Sequence, residues 1–168
     1  MILKILKFPN PVLLTPTSPV EELEPGLVFG PLLGFVFDNL YETMKANNGI
    51  GLSGNQVGLK DSIFVMEHSV LGRLDIVNPQ ILSTSEESAN ISEGCLSAPG
   101  EFVVLKERKN NIKVRFQDET GLFKELELFG IDAVCFQHEY DHLQGISHLQ
   151  SKSIPREKRR EIKRKWKI

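Results

Sequence analysis

His138 and His142 stand four residues apart, with Glu139 between them, in the run Ala133-Val-Cys-Phe-Gln-His-Glu-Tyr-Asp-His-Leu-Gln144. The run is rich in apolar residues and free of glycine and proline, so it suits a helix. On a helix, positions i and i+4 share a face, and two imidazoles at that spacing can grip one metal ion. Glu139 is rotated off the ligand direction, yet close enough to exchange a proton with a water held by that ion. His-Glu-x-x-His is therefore the minimal equipment for metal-assisted hydrolysis. A helix that merely happens to carry two histidines is the plainer reading, and the segments described next weigh against it.

Two histidines need a third protein ligand, with a fourth position left open for water. One candidate lies downstream. His138-Glu-Tyr-Asp-His-Leu-Gln-Gly-Ile-Ser-His148 matches the metzincin protease pattern letter for letter. Those proteases also need a methionine-bearing turn beyond the pattern, whereas the methionines here are Met1, Met44 and Met66. Only 20 residues follow His148, a highly charged stretch, so the match carries little weight. The other candidate is Cys95, in Glu93-Gly-Cys-Leu-Ser97. A thiolate is a strong ligand for zinc or ferrous iron, and Gly94 lets the backbone come close. Alone, Cys95 would read as a buried structural cysteine; beside the helix and a glycine-rich loop it reads as a ligand. Cys135, inside the apolar helix, reads as core packing.

These side chains need a scaffold. Pro9, Pro11, Pro16, Pro19 and Pro25 make the first part of the chain extended and loop-like. Leu33, Val36, Phe37, Leu40 and Met44 recur at helical spacing, which predicts an amphipathic helix over 32–46, ended by Asn47-Asn48-Gly49. The loop Gly49-Ile-Gly-Leu-Ser-Gly-Asn-Gln56 follows. Strand-like runs lie at 62–66, 74–78, 102–105 and 112–117. A hairpin turn at Asp118-Glu-Thr-Gly121 leads into a half-buried strand at 122–129. The metal-site helix comes next, with Asp132 as its expected N-cap and Gly145 near its C-cap. Strands followed by a buried helix predict an α+β domain, with antiparallel or mixed sheets packed around a central His-Glu-x-x-His helix.

A length of 168 residues fits one domain with a real core. The net charge of −2 conceals an asymmetry, because eight of the 20 Lys and Arg fall between Arg156 and Lys167. With Glu157 and Glu161 opposing them, the end of the chain carries +6 and the rest −8. We therefore divide the chain into a catalytic body, 1–150, and a basic tail, 151–168. Pro155 suits the first turn of a tail helix that leans on the body through Trp166. No apolar run approaches the roughly 20 residues that span a bilayer. Met1–Lys7 lacks the order of a signal peptide, and two cysteines make no disulfide framework, so a reducing cytoplasm is expected. An organelle is the alternative if a transit peptide has been removed.

Gly49–Gln56, Glu93–Ser97 and Gln137–His142 resemble, in order and separation, the three signature segments of the peptide deformylases. The Asn78-Pro79 pair, the Asp118–Gly121 turn and the Ile-Leu-Lys-Phe-Pro opening add to the resemblance. It implies an enzyme that removes the formyl group from the initiator methionine of nascent chains. Carried over residue by residue, it makes Cys95, His138 and His142 the ligands of one divalent ion. That ion would be Fe²⁺ natively, with Zn²⁺, Ni²⁺ or Co²⁺ in purified protein. Glu139 would be the general acid and base, and Gln56 and the Leu96 N–H would hold the oxyanion. Gly49, Ile50, Gly51, Gly94, Leu96, Ile131, Val134 and Cys135 are candidates for the substrate pocket. The expected partners are formyl-methionyl peptides and, through the basic tail, the ribosome; no membrane or DNA partner is expected. Three departures stand out. Ser53-Gly54-Asn55 replaces the usual Ala-Ala-Pro and gives up proline stiffness. Phe102 stands where many bacterial members carry a substrate-facing arginine. Ile146-Ser147-His148 replaces a usually apolar stretch, leaving His148 either exposed or beside a ligand.

Overall fold

The computed structural model describes residues 1–21 and 30–168, so Pro25 lies outside the described residues. Helix α1 spans Pro31–Ala46, in agreement with the apolar spacing, and buries Leu33, Phe37, Leu40 and Met44. Strands β1 (Gly51–Ser53), β2 (Ile63–His68), β3 (Gly72–Thr84), β6 (Asn111–Gln117) and β7 (Phe123–Phe129) form one antiparallel sheet in the order β1-β2-β3-β6-β7. Strands β4 (Ser92–Cys95) and β5 (Ala98–Val104) pair separately. Helix α2 (Gly130–Leu143) and helix α3 (Arg156–Trp166) complete the fold.

Alternation along β2 explains how the sheet takes a helix on each face. Ile63 and Val65 pack with the α1 side chains, whereas Phe64 and Met66 point the other way, onto Phe136 and Leu143 of α2. Both faces of β2 are thus dry, and its sequence reads as a continuous apolar run. Helix α2 is buried on nearly every side, with Ala133, Val134, Phe136, His138, Glu139 and Leu143 among its buried residues. It is the central helix that the sequence called for.

The structure moves the start of that helix. Asp132 is not its N-cap: Gly130 adopts φ +56, turns the chain directly out of β7, and the helix begins there with Phe129 as its cap residue. Asp132 falls in the first turn, and its carboxylate accepts from the Ser69 N–H at 2.9 Å. Gly145, at φ +72, ends the helix as expected, in a place where a Cβ would lie 2.9 Å from the Leu14 carbonyl. The Asp118–Gly121 turn closes through the Gly121 N–H onto the Asp118 carbonyl at 3.0 Å.

The tail is docked on the body. Ile162 is 1% exposed and packs with Phe8, Leu13, Val103 and Leu105, with Trp166 against the same cluster. Buried Glu101, on β5, receives the Trp166 indole N–H at 3.2 Å and pairs with Lys158 and Lys165 at 3.0 and 3.1 Å.

Candidate metal centre and substrate cavity

Helix α2 carries His138 and His142 one turn apart, and the end of β4 brings Cys95 to them. The two Nε2 atoms are 3.1 Å apart, and the Cys95 Sγ lies 3.2 Å from His142 Nε2. Donors held at bonds of about 2.0–2.3 Å around a tetrahedral ion are separated by roughly 3.3–3.8 Å, so this thiolate-and-imidazole set takes a small divalent cation once the donors spread by a few tenths of an ångström. A fourth donor is near. Ligand atoms of Cys95, His138 and His148 all lie within 4.8 Å of one another. His148 is 2% exposed and packs on the His138 ring, which is the second of its two expected placements: Ser147 caps the short 3-10 turn His148–Gln150 and turns the ring inward.

His138 is held from behind. Its Nδ1 meets Glu93 Oε1 at 2.9 Å, and both Glu93 oxygens are gripped by Arg108 at 2.8 Å. Arg108 also reaches Asp141, the residue before His142, at 2.5 Å. This buried fork fixes the ring so that Nε2 faces Cys95 and His142. Burial raises the cost of charge on Glu93, but the hydrogen bonds from His138 and Arg108 prevail and hold it down at about 2. Neither Glu93 nor Arg108 was assigned a role from the sequence. Glu93 lay inside a quoted segment, whereas Arg108 sits in the polar run Glu107-Arg-Lys-Asn-Asn111, which reads as a surface turn.

Glu139 is 4% exposed, and burial pushes its carboxyl up to about 7, against the lowering charge of His138. Its Oε2 has no hydrogen-bond partner. Gly51 makes room for it, since a Cβ there would lie 2.5 Å from Glu139 Oε1. A buried carboxylate with an unpaired oxygen beside three converging donors is equipped to take a proton from water.

Gln56 is aimed by its neighbours. Its Oε1 accepts from the Ser53 N–H at 3.0 Å, which leaves Nε2 to donate to Ser97 Oγ at 3.0 Å and to face Cys95 Sγ at 3.6 Å. The Ser53-Gly54-Asn55 departure is tied down by hydrogen bonds. Ser53 Oγ lies 2.7 Å from Asn55 Oδ1, and Asn55 Nδ2 donates to the His142 carbonyl at 2.6 Å, tying the loop to α2. Hydrogen bonds do here what a proline ring would do by covalent restraint. Lys7 Nζ donates to the Leu96 carbonyl, fastening the peptide between Leu96 and Ser97.

A cavity of about 540 Å³ opens onto Cys95, His138, Glu139 and Gln56. Gly49, Ile50, Gly51, Gly94, Leu96, Ile131, Val134 and Cys135 all line it, and His142 does not. Phe102, which is 68% exposed, stands at the cavity with its ring packed over Gly94. It gives an apolar wall where the resemblance led us to look for a cation. Cys135 is both core and wall: it is buried, and its thiol faces the Ile50 carbonyl.

An α+β scaffold holding a cysteine and two histidines beside a buried carboxylate and an apolar cavity defines the class: a hydrolase built to work with a metal ion. The family model for polypeptide deformylase matches residues 2–159. The peptide deformylase of Campylobacter jejuni is 37% identical across 99% of this chain and 94% of its own length. That of Thermotoga neapolitana is 39% identical across 85% of this chain and 82% of its own. Among solved structures, the peptide deformylase of Thermus thermophilus superposes with a TM-score of 0.83 at 33% identity, covering 98% of this chain and 92% of its own. That of Legionella pneumophila gives 0.84 at 31%, covering 99% and 94%. The chain belongs to the polypeptide deformylase family, metalloenzymes that remove the N-formyl group from the N-terminal methionine of nascent polypeptides. Among the described residues, no helix is long and apolar enough to cross a membrane.

Proposed function

We propose that Cys95, His138 and His142 hold one divalent ion, Fe²⁺ in the cell, and that deformylation takes place at the mouth of the adjoining cavity. The observation that carries this is the convergence of the three donors, with separations of 3.1 and 3.2 Å, beside a carboxylate oxygen that has no other partner. Once bound, the ion supplies the Lewis acidity that makes water nucleophilic at neutral pH. Glu139 takes the proton of the attacking water and later delivers it to the departing amine, so the C–N bond breaks as formate leaves. Gln56 Nε2 and the Leu96 N–H stabilise the charge that develops on the formyl oxygen, each contributing roughly 3 kcal/mol. The methionine side chain enters the apolar cavity between Ile50, Leu96, Ile131 and Val134. Replacing Cys95 or His138 by alanine is expected to abolish stoichiometric metal binding while the fold persists. Full metal content in either variant would refute the ligand assignment.

Residues 1–150 form the catalytic unit in this proposal, and 151–168 a docked basic extension. The exposed cations Arg156, Arg160, Lys163 and Arg164 face away from the packed Ile162 side and meet ribosomal RNA as substrates emerge, in the cytoplasm of a bacterium.

A further inference from the structure

His148 is the one imidazole near the centre to which the proposed mechanism gives no task. It is 2% exposed, and neither ring nitrogen has a hydrogen-bond partner of normal geometry. Burying a polar ring without partners is unfavourable, and a hydrocarbon ring of the same shape would not carry that penalty. The ring packs on His138 with centroids 5.1 Å apart and a tilt of 58°. A ligand nitrogen lies within 4.8 Å of both Cys95 and His138 donors. Two donors on opposite sides of one ion are at most about 4.6 Å apart, so about an ångström of side-chain movement brings all three onto a common ion.

We propose that His148 is an auxiliary metal ligand, which gives the centre a second complete set, Cys95/His138/His148, beside Cys95/His138/His142. The inference rests on the reading of Cys95 and His138 as ligands. Four protein donors at once would fill the position that water needs, so His148 exchanges with His142 rather than adding to it. Its effect is to recapture the ion whenever His142 lets go.

Cobalt-loaded full-length protein tests this, because Co²⁺ reports its ligands through its visible bands. His142→Ala is expected to keep one Co²⁺ at reduced affinity, with thiolate-to-metal absorption intact. Adding His148→Phe should weaken it at least tenfold further and alter the visible bands. In the otherwise native chain, His148→Phe should speed Co²⁺ loss to excess chelator several-fold. That measurement decides the matter if His142→Ala does not fold. Equal affinity and identical spectra with and without His148, or an unchanged loss rate, would overturn the inference. Retention of Co²⁺ in both Cys95→Ala and His138→Ala would instead sink the underlying ligand assignment, so the two failures are distinguishable.

Discussion

At the scale of single residues, the centre depends on side chains whose neighbours leave them one free direction. Gln56 has its carbonyl oxygen engaged by Ser53, so its amide N–H₂ points towards Cys95 and Ser97. Gln56→Ala should therefore lower kcat by roughly 100-fold or more, the usual loss for one oxyanion donor, with metal content unchanged. A steady-state assay with matched metal analysis checks it. Arg108 neutralises Glu93, and Glu93 orients His138. Arg108→Ala strands a buried carboxylate, which typically costs about 3–5 kcal/mol, so the variant should unfold at lower denaturant and lose metal faster. Of these residues, Gln56 was singled out through the resemblance to the deformylases, since a loop amide alone reads as surface. Arg108 was not, because a charged residue in a polar turn gives no sign that the fold will bury it.

At the scale of elements, periodicity was informative where an element is long. The i, i+3, i+4 spacing of α1 and the His-Glu-x-x-His run of α2 placed both helices within a few residues. Strand β1 has three residues and β4 four, too short for any alternation to register, yet they deliver Gly51 and Cys95 to the site. The Asp132 cap was misplaced because a single left-handed glycine can start a helix without a capping side chain. The Ser53–Asn55 loop makes a sharper point. Its polarity looked like a loss of stiffness, and it became a link from loop to helix through the Asn55–His142 bond. Asn55→Ala should leave α2's carbonyl unpaired and release the loop, lowering kcat more than it changes KM. Equal kcat would show that the bond is dispensable.

At the scale of the whole molecule, the charge asymmetry resolves into a docked helix clamped by one acid. Burial opposes the charge on Glu101, but hydrogen bonds from Lys158, Lys165 and Trp166 hold its carboxyl down at about 2. A carboxylate lowered in the fold stabilises it above its ordinary range, near 4.5, and that contribution fades as the pH falls from about 5 towards 2. Lys158 and Lys165 are half-exposed, so screening limits the effect to roughly 1 kcal/mol. Melting curves across that window should fall more steeply for the native chain than for Glu101→Gln; parallel curves would count against the clamp. On the outer side of the same helix, changing Arg160, Lys163 and Arg164 to glutamate should weaken co-sedimentation with ribosomes. Native binding should decline steeply with salt, as counterion release requires.

The most direct measurement is amine release from a formyl-Met-Ala peptide by anaerobically iron-loaded protein, compared with its Glu139→Gln variant loaded to the same metal content. The native chain should release free amine and formate, with no cleavage of the same peptide lacking the formyl group. The variant should retain less than a tenth of that kcat, because an amide cannot accept the proton of the attacking water. No deformylation by the iron-loaded native chain, or comparable turnover by the variant, would contradict the account.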